Sequence, residues 1–138
     1  MADKDTAKNS GKGTGKDGRK IGRVHWQKDV AEHDYAAAEN YLSIRNDDAT
    51  VAHTVKKLRE ASLVTRRAND ILRAAGLEAA TLDDPGVMRD LVKAVEGKPL
   101  SPVLVVNDKD RADIADGYHR VSLIYRLDPY GDVPLKLA

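Results

Sequence analysis

The chain has 138 residues, with 23 Lys and Arg against 22 Asp and Glu, a formal net charge of +1 and no cysteine. That length suits one domain, and the near-neutral balance supplies no overall field toward nucleic acid or membrane. The lack of cysteine excludes disulfides, thiolate nucleophiles, thiolate-bound metals and sulfinic-acid repair through sulfur.

Residues 1–20 carry Lys4, Lys8, Lys12, Lys16, Arg19 and Lys20 among small polar residues and glycines, with Met1, Ala2 and Ala7 as the apolar content. Such a stretch buries too little to fold alone, so it reads as a disordered basic tail that makes at most weak, nonspecific contact with DNA phosphates. Ser10-Gly-Lys-Gly-Thr-Gly-Lys-Asp17 superficially suggests a phosphate-binding loop. The motif needs Gly at position 10, Ser or Thr at position 17 and an apolar strand ahead of it, so it is not one. No apolar leader is read at the N-terminus and no run approaches the roughly 18 apolar residues of a membrane span, so a cytoplasmic protein with no membrane partner is expected.

A single folded domain is expected over residues 21–138, anchored first by Val24 and Trp26. Asp34 is suited to cap a helix over 35–44, striped by Ala38, Tyr41 and Leu42. Asp48 is the expected cap of a second helix over 50–61, with Val51, Val55 and Leu58 inward. Thr65 is the expected cap of a third over 66–75, striped by Ala68, Ile71, Leu72 and Ala75 and ended by Gly76. Asp84 and Pro85 are an N-cap and first-turn pair for a fourth, carrying Val87, Met88, Leu91, Val92 and Val95 and stopping at Gly97.

Beyond Gly97 the pattern changes to strands. Pro102-Val-Leu-Val-Val106 reads as a buried strand, Asn107-Asp-Lys-Asp110 as a turn, and Asp113 to Ala115 as the second arm of a hairpin. A helix follows from Tyr118 to Leu127 with Val121, Ile124 and Tyr125 inward, and Val133 to Leu137 reads as a final strand. The fold class expected is α/β (α+β), a small mixed sheet with a helical N-terminal half.

The junction Ile114-Ala-Asp-Gly-Tyr-His-Arg120 is where chemistry is expected. A strand there runs directly into a helix, so Asp116, Gly117, Tyr118, His119 and Arg120 gather at a helix N-terminus, where free N–H groups and the dipole favour an anion. Gly117 permits a left-handed turn and close ligand approach. Arg120 in the first turn opposes the dipole unless an anion is nearby. His119 can donate to the anion or act as an acid or base, Tyr118 offers a ring for stacking, and Asp116 can cap the helix or orient a metal ion, a ligand hydroxyl or the guanidinium. The ligand expected is a nucleotide or phosphorylated small molecule, ATP or another nucleotide with Mg²⁺. If the protein is an enzyme, phosphoryl transfer or nucleotide hydrolysis is the chemistry that fits, with Asp116 and His119 as catalytic groups and Gly117, Tyr118, His119 and Arg120 holding the cofactor.

These residues also carry a resemblance. Pro102 to Val106, Ile114 to Tyr125 and Val133 to Leu137 resemble the strand, strand, Gly-x-x-Arg helix and strand core of the ParB/sulfiredoxin superfamily. The resemblance implies that Gly117, His119 and Arg120 lie in a phosphate-contacting turn, with Asp116 ahead of them as in the kinase-like branch. Tyr118 stands where sulfiredoxins have their catalytic cysteine, so sulfiredoxin activity is not expected. The partition proteins' Gly-Glu-Arg-Arg turn is not reproduced and no DNA-binding domain is expected after Ala138, so classical partition function is not expected either.

The competing reading is a DNA- or protein-interaction module. The helices expected between Thr50 and Gly76, linked by Ser62-Leu-Val-Thr65, would form a helix-turn-helix whose second helix bears Arg66, Arg67 and Arg73. Alternatively Arg67 or Arg73 completes the anion pocket. His25, His33 and His53 make no ligand-spaced set, so no protein-only metal site is expected.

Overall fold

The computed structural model describes residues 23–138 and, ahead of them, the two-residue strand fragments Ala2–Asp3 and Asp5–Thr6. The rest of the basic tail, including the Ser10 to Asp17 glycine run, lies outside the described residues. The main body runs α1 (Glu32–Leu42), α2 (Asp48–Glu60), β1 (Leu63–Arg67), α3 (Ala68–Ala75), α4 (Pro85–Val95), β2 (Val103–Asn107), β3 (Ala112–Asp116), α5 (Tyr118–Leu127) and β4 (Asp132–Leu137). The sheet order is β1-β4-β2-β3; β4 is parallel to β2, and the β1–β4 and β2–β3 pairs are antiparallel. The architecture is mixed α and β.

Helices cover both faces of the sheet, which explains the continuous apolar run in β2. Successive residues of a strand point to opposite faces. Val103 and Val105 therefore join Ile71, Leu72, Val121, Ile124, Val133 and Leu135 under α3 and α5. Leu104 points the other way, into a cluster with Val30, Tyr35, Ala38, Leu42, Val51, Val55 and Leu58 under α1 and α2. α4 is an outer layer, seated on α5 through Val87, Leu100 and Leu123. No helix of the described residues is long and apolar enough to cross a membrane.

The hairpin and α5 follow the sequence pattern closely, and Asp84 caps α4 by accepting hydrogen bonds from the N–H of Gly86 at 2.8 Å and of Val87 at 3.3 Å. Gly76 ends α3 at φ 67°. Four expectations need correction. The cap of α2 is Asp47, whose carboxylate accepts from the Thr50 N–H at 2.8 Å, and Asp48 is the first helical residue. Thr65 does not cap a helix: Leu63–Arg67 is an edge strand with Thr65 opposite Pro134, and α3 starts at Ala68. That strand stands where the turn of the helix-turn-helix was expected, so α2 and α3 do not form a helix-turn-helix. Its β-branched Val64 and Thr65 suit pairing along β4, a partner about 70 residues away that local propensity does not report.

The third correction concerns Asp34, which is not an N-cap. α1 starts earlier, with Ala31 at its N-cap position, and the Ala31 N–H donates to Ser101 Oγ at 3.0 Å. Asp34 is the third helical residue and is 4% exposed. Fourth, the buried face of α4 is Val87 and Ala94 with Asp90 and Leu91 half-buried, whereas Met88, Val92 and Val95 are exposed.

The two faces of α4 give a matched test. Val87 is 0% exposed and Val92 is 47% exposed. Val87→Ala is expected to cost about 2 kcal/mol in urea unfolding, from two lost methyls plus a residual cavity, and Val92→Ala less than about 0.5 kcal/mol. Equal losses would mean that the helix is rotated from the orientation described.

Candidate functional site

β3 delivers the chain to Asp116 and α5 takes it up at Tyr118, leaving Gly117 to make the corner at φ 112°. A Cβ at Gly117 would lie 2.8 Å from Val103 Cγ2 and 2.9 Å from Arg120 Nη2. Conformation and space both require glycine there: the corner is pressed onto β2 beneath it and the Arg120 guanidinium beside it. Gly117 offers no side-chain cap, and its carbonyl accepts the Val121 N–H at 3.0 Å.

The four side chains expected to converge on a ligand divide into three groups. Asp116 and Arg120 come together, with Arg120 Nη2 donating to Asp116 Oδ2 at 2.7 Å. Arg120 Nη1 donates to Asp34 Oδ2 at 3.1 Å, across 86 residues of sequence. The guanidinium side chain is only 13% exposed between these carboxylates. Its opposition to the helix dipole is thus answered within the protein, by Asp34 and Asp116, before any ligand is considered. Asp116 is accordingly a partner of Arg120 and not a helix cap.

His119 turns to α4 instead. Its Nε2 lies 3.3 Å from Asp84 Oδ1, and its ring rests on Gly86, where an added Cβ would come within 2.6 Å. Tyr118 turns a third way: its hydroxyl donates to the Glu78 carbonyl at 2.6 Å and its ring packs against the α3 and α5 core. Arg67 stacks over the Tyr130 ring and Arg73 faces Asp70, so neither reaches Arg120.

Beside Arg120 is a cleft of about 60 Å³ bounded by the start of α1, the middle of α4 and the segment leading into β2. Its polar walls are Gln27, His33, Asp90, Lys93, Ser101 and Arg120. The segment carrying Gln27 is held against Leu100 by two backbone hydrogen bonds, Gln27 N–H to the Leu100 carbonyl at 2.7 Å and Leu100 N–H to the His25 carbonyl at 2.8 Å. His33 Nε2 is 3.2 Å from Asp34 Oδ1, so Asp34 links the cleft rim to the buried guanidinium. The Arg120 Nε–H is buried without an acceptor among the described residues.

Two carboxyl groups at this site, Asp116 and Asp90, are raised. Burial pushes Asp116 above the ordinary carboxylate range, Arg120 opposes that shift and the neighbouring Asp34 charge adds to it. Burial likewise raises Asp90, against the pull of Arg120, Lys93, His119 and Arg89. Among the described residues there is no group of three or more His, Cys, Asp or Glu arranged to hold a metal ion.

The expected turn located Arg120 and Asp116 and missed Asp34, His33, Asp90 and Lys93. A signal for two of these exists in the sequence. Asp34 shares the α1 face of Ala38 and Leu42 at spacings of four, and Asp90 lies between Val87 and Ala94 on the buried face of α4. An acid in register with a core stripe needs a partner when buried.

The raised Asp116 makes a pH prediction. An acid with a higher pKa in the folded than in the unfolded state binds more protons when folded, so stability from this group is present at low pH and lost as pH rises through the folded value. Asp116→Asn removes that dependence. In denaturant unfolding, the stability of the wild type relative to this variant is expected to fall as pH rises from about 4, the ordinary carboxylate pKa, and then to level off. A relative stability that rises over the same range would mean that Arg120 outweighs burial.

The comparisons add no family to this geometry: the chain matches no protein-family model, no curated protein and no solved structure.

Proposed function

We propose that this protein binds a phosphorylated small molecule, nucleotides among them, by taking one phosphoryl group into the cleft beside Arg120. The observation that carries the reading is the placement of Arg120, fixed by Asp34 and Asp116 at the wall of a cleft that Lys93 and His33 also line. A guanidinium fixed by two carboxylates is pre-oriented, and its Nε–H is the donor left without an acceptor among the described residues, so little side-chain entropy is lost when a ligand oxygen arrives. Lys93 supplies a cation that has no hydrogen-bonded acid among the described residues, and His33 adds a ring N–H at the rim.

Cleft volume limits what enters. Pockets that enclose a whole drug-sized ligand measure roughly 300–1,000 Å³, so a space of about 60 Å³ admits a terminal group and leaves the remainder of the ligand outside. With a nucleotide, Mg²⁺ would enter already bound to the phosphates and would offset part of their charge. The geometry favours binding over phosphoryl transfer, because Asp116 and His119, the two groups expected to do chemistry, are engaged with Arg120 and Asp84. The resemblance of the Gly117 to Arg120 turn to phosphate-contacting turns of the ParB/sulfiredoxin superfamily supports the reading through Arg120, the residue of that turn that lines the cleft. The interaction-module reading loses its main support where β1 replaces the expected turn.

Arg120→Ala is a poor control, since it strands two buried carboxylates at a cost of about 3–5 kcal/mol in folding. Lys93→Ala and His33→Ala change exposed side chains and leave the Arg120 pairing in place. Thermal-shift and calorimetric titrations with inorganic phosphate, ATP, CTP, GTP and the corresponding diphosphates, each with and without Mg²⁺, are expected to show binding. Lys93→Ala is expected to weaken it about tenfold, the equivalent of one charge-assisted contact, and His33→Ala to weaken it by a smaller factor. No binding at millimolar ligand, or equal affinities in wild type and both variants, contradicts the proposal.

A further inference from the structure

Asp90 is out of place for a simple anion site. It lines the cleft opposite cations, yet an ionised carboxylate repels an approaching anion and its oxygens have no proton to donate. It is also out of place for α4, being an acid on the face that buries Val87 and Ala94. The charged groups around it are Arg89 and Lys93 on its own helix, His119 and Arg120 on α5, and His33 across the cleft on α1.

These facts are reconciled if one proton lies between the carboxylate and the ligand. Two oxygen acceptors that repel when both are bare attract strongly when they share a single hydrogen. Inorganic phosphate retains at least one proton throughout the neutral range, a phosphate monoester retains one below its second pKa of about 6, and sulfate retains none. We infer that Asp90 makes the cleft selective for an oxyanion that still carries a proton, so that inorganic phosphate or a protonated phosphate monoester is admitted and sulfate is turned away. This rests on the phosphoryl-binding reading above and adds the ligand's protonation state to it. Burial, which raises the Asp90 carboxyl, also favours a proton remaining at this position once a ligand is bound.

The test is calorimetry on the full chain at pH 7.5 with inorganic phosphate and with sulfate, for the wild type and Asp90→Asn. The wild type is expected to bind phosphate about 30- to 100-fold more tightly than sulfate, and Asp90→Asn, whose amide donates to either ion, to bring the two within about threefold. Glycerol phosphate gives a readout that needs no variant: its affinity for the wild type is expected to fall about tenfold per pH unit above about pH 6, where it loses its proton. That fall also separates a monoester ligand from free phosphate, whose affinity changes far less over the same range. Wild-type protein that binds phosphate and sulfate equally, a variant that folds and keeps the discrimination, or a flat monoester profile overturns the role of Asp90 and leaves phosphoryl binding standing. Wild-type protein that binds neither ion nor ester overturns both.

Discussion

The Asp34–Arg120–Asp116 cluster is the interaction on which the arrangement of this molecule depends. Its three side chains come from the first turn of α1, the end of β3 and the first turn of α5, and they meet with little exposure to water. Charges so placed are costly to desolvate, and the cost is offset only while every partner is present. One guanidinium serving two carboxylates leaves the cluster with a surplus negative charge when both acids are ionised, consistent with the rise at Asp116. Asp34 and Asp116 also place negative charge near the N-terminal ends of α1 and α5, where the helix dipoles favour it. The cluster therefore fixes how a helix on one face of the sheet is set relative to a helix on the other.

The fold supplies the setting. Because β2 is covered on both sides, its apolar residues alternate between the α3–α5 core and the α1–α2 core. The corner at Gly117 brings the α5 backbone down onto Val103, and that close approach sets Arg120 within reach of Asp34. α4 then closes the outer side through Asp84 and Gly86 against His119, and contributes Asp90 and Lys93 to the cleft. Thus the residues of the cleft are brought together by packing of the outer layer, while the guanidinium they surround is held by the inner one.

What could be read from the sequence was what is decided locally. Asp84-Pro85 fixes the start of α4 by a cap that needs only the next three residues, and the β2–β3 hairpin follows from a strand, a polar turn and a second strand. What escaped was decided at a distance. Leu63–Arg67 is a strand because β4 lies beside it, and the same residues viewed alone are compatible with the start of α3. Asp34 has the composition of a helix cap, and its actual role follows from a partner 86 positions away. At the junction itself, Asp116, Gly117 and Arg120 were identified from the glycine corner and the misplaced cation. The directions taken by Tyr118 and His119 depend on Glu78 and Asp84, whose positions no local pattern reveals.

A double-mutant cycle between Asp34 and Arg120 tests the central claim most directly. Unfolding free energies of Asp34→Ala, Arg120→Ala and the double variant separate the energy of the pair from the separate losses of each side chain. If the cluster ties α1 to α5 as described, the coupling is about 2–3 kcal/mol, and the double variant is much less impaired than the sum of the singles. Additivity to within about 0.5 kcal/mol would contradict the account, because the two groups would then not depend on each other in the folded protein.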